Sequence, residues 1–158
     1  MQLSQFTDYA IRVLMFTAVN PGRDCQISEI ATSYGISRNH LVKVVNHLSH
    51  AGFLHTRRGR GGGMRLGMDP KEIKIGTVIR GTENSMDIAE CFSSTSTPCC
   101  ITNACGLKGV LRRACDAFFS VLDQATLADL MLDKALLREC LKLKVPDKEE
   151  EEEMVVTV

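Results

Sequence analysis

Four of the seven cysteines, Cys91, Cys99, Cys100 and Cys105, lie within the fifteen positions CFSSTSTPCCITNAC. Their neighbours are Ser, Thr, Pro and Asn, residues of turns rather than the apolar side chains that bury a structural thiol. Cys91, Cys99 and Cys105 are separated by seven and then five residues, with Pro98 between them, so a bent segment can bring three thiolates to one point. Soft thiolates select iron-sulfur clusters, zinc or copper(I) over hard cations. Zinc sites usually show a C-x-x-C pair or closely spaced His, and this half of the chain has neither. Long, unequal gaps suit a larger inorganic body better than a single tetrahedral ion. An iron-sulfur cluster therefore comes first, with zinc, thiol oxidation without metal, or no site at all, as the alternatives. Cys25, Cys115 and Cys140 fall in or near apolar patterns and are expected to be buried thiols.

The elements that would position these thiols divide the chain by charge. Residues 1–80 carry eleven Lys or Arg against five Asp or Glu, and all four His, whereas residues 81–158 carry eight against fourteen. The first half is thus +6 and the second −6, so the first is built to meet a polyanion. Phe6, Ala10, Val13, Leu14 and Thr17 recur at helical spacing in SQFTDYAIRVLMFTAVN, which Pro21 and Gly22 stop. Ser28 is placed to cap a short helix that ends at Gly35, and Ser37 to cap a third. In that third helix Leu41, Val44, Val45 and Leu48 share one face, leaving Arg38, Asn39, Lys43, Asn46 and His50 on the other. This is a helix-turn-helix pattern. FLHTRRGRGGGMRLGM then alternates apolar and polar residues around glycines, which predicts a β-hairpin, or wing.

Such a unit reads DNA through the start of its last helix, where Ser37, Arg38, Asn39, His40 and Lys43 cluster, with Ser28 at the head of the preceding helix. The wing adds Arg57, Arg58, Arg60 and Arg65, suited to phosphates or the minor groove. From Leu107 the apolar positions Val110, Leu111, Ala114, Phe118, Val121, Leu122 and Ala125 continue a long helical stripe. Following a domain expected to close its own core, that stripe predicts a two-fold homodimer. A further helix, TLADLMLDKALLRECL, is expected to start at Thr126 and fold back against it. The fold expected is mainly α, a winged helix-turn-helix DNA-binding domain followed by a long dimerisation helix. The expected boundaries are 1–70 for the DNA-binding domain, 71–106 for a connector and cluster loop, 107–144 for dimerisation helices, and 145–158 for an acidic disordered tail. No basic-apolar leader pattern opens the sequence and no apolar run approaches the roughly 20 residues of a membrane span, so a cytoplasmic protein without membrane contact is expected. Enzymatic chemistry is not expected: paired carboxylates, nucleophile elbow and phosphate-cradling motif are all missing.

From MQLSQFTDYAIRVL through ISEIA, SRNHLVKVVNHLSHAGF, RGRGGGMRLG and IKIG to the three cysteines and TLADL, the chain resembles the iron-sulfur winged-helix repressors that include NsrR and IscR. QFTDYA, GISRNHLVKVVNHLSHAG and CITNACGLK are similar to the nitric-oxide-responsive branch. The resemblance implies a cluster held by Cys91, Cys99 and Cys105, 4Fe-4S in preference to 2Fe-2S. It also implies a fourth ligand, the carboxylate of Asp8 from the other subunit. Members of the other branch use a His three residues after the last cysteine, where this chain has Lys108, whose ammonium has no lone pair to give. The implied function is a repressor of a double-stranded operator with two-fold half-sites. Nitric oxide is the implied signal: nitrosylation of the cluster would release DNA and derepress nitric oxide detoxification genes. The alternatives are a regulator reporting iron-sulfur supply and a zinc or thiol redox repressor. The chain departs from the pattern in the longer gap after Cys91 and in Cys100 beside Cys99.

Overall fold

The computed structural model describes residues 2–57, 59, 61–93 and 99–143. Among the described residues six helices and a hairpin follow one another: α1 (Gln5–Ala18), α2 (Ile27–Tyr34), α3 (Arg38–His50), β1 (Leu54–Arg57), β2 (Gly63–Leu66), α4 (Ile75–Thr82), α5 (Gly106–Gln124) and α6 (Lys134–Cys140). Single 3₁₀ turns occupy Glu90–Phe92 and Asp129–Met131. Ser4 starts α1, its hydroxyl accepting from the Thr7 N–H at 3.2 Å. At the other end Asn20 donates to the Phe16 carbonyl at 2.8 Å, meeting one of the carbonyls a helix end leaves free. Ala10, Val13, Leu14 and Phe16 are fully buried along one face, against α3 and α4.

The helix-turn-helix and wing form as the periodicity predicts. Gly35 ends α2 at φ +65°, a left-handed conformation that glycine adopts without a Cβ clash, and α3 begins three residues later. Leu41, Val44, Val45 and Leu48 all point into the core. β1 and β2 pair antiparallel with Leu54 opposite Leu66 and Arg57 opposite Gly63. Cys25 adds a one-residue third rung, its N–H and carbonyl both bonded to Met64 at 2.8 Å.

Three details differ from expectation. Ser28 is inside the first turn of α2, not its cap. Gln26 takes that place, its N–H donating to the Glu29 carboxylate at 2.6 Å, because an acidic side chain three residues into a helix can reach back to the entering backbone. The segment after α5 is not one continuous helix. Asp129 accepts from both the N–H and the hydroxyl of Thr126, at 2.8 and 2.7 Å, and Asp133 accepts from the Leu136 N–H at 2.9 Å. Two short acidic side chains thus bond local backbone and divide the run into a 3₁₀ turn and α6. That segment also does not fold back on α5. It returns to the first helix, where Arg138 donates to the Val19 carbonyl, and Leu127, Met131 and Leu141 enter the same core as α1 and α3. The winged unit therefore does not close its core alone.

α5 is different, for none of its residues is fully buried. Leu107, Val110 and Val121 stand 63%, 51% and 68% exposed on one apolar stripe, while α4 covers only part of the helix. A stripe of this kind is stable in water when another protein surface covers it. Val121→Glu is expected to weaken self-association at least about tenfold while leaving the melting of the body little changed, because a charge there must be desolvated in an interface but not in the single chain. Sedimentation against concentration measures it; an unaltered association constant would place the interface elsewhere.

Candidate functional site

The exposed start of α3 carries Ser37, Arg38, Asn39, His40 and Lys43. Ser37 occupies the cap position but its hydroxyl makes no cap bond. Among the described residues Arg38 and Lys43 form no ion pair, so no described carboxylate neutralises their charges. His40 is tethered differently: its ring lies 6.3 Å from that of Tyr9 at an interplanar angle of 30°, which links this end of α3 to α1. Ser28 is exposed at the head of α2. Arg57 and Arg65 both pair with Asp24, at 3.3 and 2.9 Å. Arg58 and Arg60 lie outside the described residues.

Sequence reasoning missed how α3 is fixed in orientation. His47, on the α3 flank, donates from Nε2 to the Gly81 carbonyl of α4 at 2.7 Å, and Phe6 meets its ring edge-on at 5.4 Å. The only trace in the sequence is a His at the edge of an apolar face. From α4 the connection continues: Arg80 grips both carboxylate oxygens of Asp123 on α5 and lies 4.2 Å from the Phe119 ring centre. The Asp123 carboxyl is held below the usual carboxylate range by that hydrogen-bonded guanidinium. Recognition helix, α4 and long helix are thus joined by directed polar contacts.

Cys99 and Cys105 lie in the segment that leads into α5, and Cys91 in a turn packed against that helix. Cys105 is its N-cap residue, Cys99 opens the turn just before it, and Cys91 sits in the 3₁₀ turn. Phe92 lies under the cations of Lys108 and Arg112, at 6.0 and 5.6 Å, which holds the Cys91 turn against the first two turns of α5. Among the described residues no three His, Cys, Asp or Glu side chains converge tightly enough to hold a metal ion. The donor chemistry nonetheless fits an iron-sulfur cluster: soft thiols at the positive end of a helix, beside a Lys and an Arg, suit an anionic sulfide-bridged group. Pro98 lies outside the described residues. Asp8, in the first turn of α1, forms a two-point pair with Arg12 at 2.8 and 3.1 Å, and both side chains are partly exposed.

The other cysteines are not uniformly buried. Cys140 is exposed and Cys115 half-buried, because α6 is short and α5 lacks a cover on that side; Cys100 is exposed next to Cys99. Cys115 lines a cavity of about 460 Å³ with Leu3, Glu83, Phe118 and Phe119. Burial raises the Glu83 carboxyl, but hydrogen bonds from Thr7 and from the Ser4 N–H, the latter at 2.8 Å, outweigh it and leave the group below its ordinary value. Only Cys25 is fully enclosed, and burial pushes its thiol up to about 11. Since the thiolate is the nucleophile, iron-free protein treated with iodoacetamide at neutral pH should lose Cys99, Cys100 and Cys140 first and Cys25 last. Peptide mapping over time checks that order.

A sequence profile described as Rrf2, iron-dependent transcriptional regulator, matches residues 3–133. Among curated proteins, the HTH-type transcriptional regulator NsrR of Bacillus subtilis is 48% identical over 145 residues, 91% of this chain and 99% of that protein. The regulator of the same name from Geobacillus kaustophilus is 45% identical over 143 residues, 90% and 97% of the two chains. Among solved structures, CymR, the global cysteine regulator of B. subtilis, superposes with a TM-score of 0.67 at 27% identity, covering 82% of this chain and 95% of that one. IscR of T. potens gives 0.67 at 26%, covering 87% and 91%.

Proposed function

This chain belongs to the Rrf2 family of transcriptional regulators, and from that membership we propose that it is a dimeric repressor whose iron-sulfur cluster senses nitric oxide. Transcriptional regulation, not enzymatic turnover, is its class. Two copies would present their α3 helices to successive major grooves, which requires a separation of about 34–36 Å, one turn of DNA. Arg38 and Asn39 are the side chains able to reach base edges, with Ser37, His40, Lys43 and Ser28 beside them, and Arg57, Arg58 and Arg60 of the wing address the backbone.

The single observation that supports the sensing half is the placement of Cys91 in a turn that Phe92 holds against α5, with Cys99 and Cys105 in the segment leading into that helix, whose apolar stripe calls for a second copy. These three residues would hold the cluster, 4Fe-4S in preference to 2Fe-2S, and Asp8 from the α1 of the partner copy would complete its ligands. When bound, the cluster supplies iron open to attack by nitric oxide. The protein's part is mechanical. Asp8 stands on the helix that buries the core beneath α3, so a carboxylate held across the dimer restrains the reading head. A carboxylate that lets go returns to Arg12 in its own helix, which leaves no uncompensated charge. The signal then acts by favouring one of two arrangements of the paired heads. The genes expected under such control are those of nitric oxide detoxification.

Anaerobic purification followed by iron and sulfide analysis, an absorbance spectrum and nitric oxide titration of operator binding tests the proposal. Loss of affinity in step with reaction of the cluster is the result expected. Full affinity after complete reaction would overturn the sensing step, and colourless, iron-free protein would favour a thiol-based regulator. Binding should also weaken at least about a hundredfold between roughly 50 and 200 mM salt, since each neutralised phosphate adds about −0.9 to the slope of log affinity on log salt. A flat dependence would remove DNA from the account.

A further inference from the structure

We propose that Asp24 is a positioning residue of the DNA interface, one that sets two wing arginines on a fixed frame and limits their attraction to unrelated DNA. This rests on the reading that the wing touches DNA. Asp24 stands just ahead of α2, and its side chain is only 14% exposed, against 67% for Arg57 and 60% for Arg65. Each carboxylate oxygen takes a different arginine: Oδ2 lies 3.3 Å from Arg57 Nη2, and Oδ1 accepts from Arg65 Nε at 2.9 Å.

The backbone is built around this contact. The paired bonds between Cys25 and Met64 lay the Asp24 strand along β2, on the side away from β1. Arg57 is on β1 and must therefore reach across β2 to meet Asp24. The residue opposite Arg57 is Gly63, and a Cβ there would stand 2.9 Å from the Asp24 Cβ and 2.7 Å from the Cys25 carbonyl oxygen. Absence of a side chain at Gly63 leaves the passage that Arg57 uses. Arg57 also donates to the Gly61 carbonyl at 3.2 Å, so its guanidinium is oriented from two sides.

An exposed ion pair contributes little to stability, so the value of this arrangement lies in geometry and charge. Two free arginines would reach any phosphate of any sequence, and phosphate contacts carry no sequence information. Arginines tethered to a common carboxylate can meet only a backbone or groove of one shape, and the carboxylate repels the rest. The acid thereby trades total affinity for selectivity.

The test uses full-length, cluster-bound protein carrying Asp24→Asn. Two duplexes of equal length serve as probes: one selected by the unaltered chain from a random-sequence pool, and one unrelated. The variant is expected to bind the unrelated duplex about threefold to tenfold more tightly at low salt, with a slope of log affinity on log salt steeper by about one. Preference for the selected duplex is expected to fall at least about threefold. Asp24→Glu keeps the charge and should return the unrelated-duplex affinity and slope to those of the unaltered chain. Equal tightening on both duplexes would reduce Asp24 to a simple subtraction of charge. Weakening on both, with a lower melting temperature, would make it a folding residue. Either result overturns the proposal. If Arg57→Ala and Arg65→Ala alter neither affinity nor slope, the wing does not touch DNA and the premise itself fails.

Discussion

A Cys99→Ser chain purified without oxygen is expected to contain almost no iron, to remain folded, and to bind its operator about a hundredfold more weakly than the unaltered chain. Cys99 is exposed in the turn before α5 and buries no core surface, so its loss should move the melting transition little. Serine offers a hard, protonated hydroxyl where the cluster requires a soft thiolate, and two cysteines cannot replace three. Without the shared centre the two reading heads sample many separations. If the arrangement fitting both half-sites falls to about one in a hundred, apparent affinity falls by the same factor. Cys100→Ser, one residue away and equally exposed, should keep both iron and affinity. Iron and sulfide analysis beside an anisotropy titration reads both variants. Normal iron in Cys99→Ser would remove that thiol from the ligand set.

Phe16→Ala is expected to cost about 3–5 kcal/mol of stability. Phe16 is fully buried on the core face of α1, its ring 6.4 Å from that of Tyr34. Removing it opens a cavity where α1, which packs on α3 and α4, also faces α2. Domains of this size are stable by about 5–15 kcal/mol, so the variant should unfold at a much lower urea concentration with an unchanged slope. A midpoint close to the unaltered one would mean that neighbouring side chains collapse into the space. By comparison, Phe118→Ala on half-exposed α5 should shift the midpoint far less in the single chain.

Much of the winged unit is legible without coordinates because its signals are local. Leu41, Val44, Val45 and Leu48 repeat at helical spacing, Gly35 supplies the left-handed turn, and alternation around the glycines of RGRGGG marks the hairpin. Each follows from backbone geometry over fewer than about a dozen residues. Residue preference puts the cap of α2 at Ser28, two positions past its place at Gln26, because Glu29 reaches back to Gln26, a competition between neighbouring polar side chains that preferences alone do not rank. The run TLADLMLDKALLRECL has helical periodicity throughout, yet Asp129 and Asp133 bond local N–H groups and break it. Exposure of Cys140 was equally hidden, since an apolar pattern shows which face can be covered, not whether anything covers it.

The order of residues by itself determined the helix-turn-helix, the hairpin, the concentration of cations in the first half and the grouping of thiols before the long helix. Those depend on nearest-neighbour periodicity, turn chemistry and counting. Only the tertiary structure decided that the segment after α5 returns to α1, that His47 and Arg80 tie recognition helix to α4 and α4 to α5, and that Asp24 takes hold of Arg57 across Gly63. These contacts join residues between 33 and 119 positions apart. No local preference encodes such pairs, because each partner is chosen by the packing of elements whose own formation leaves their relative placement open.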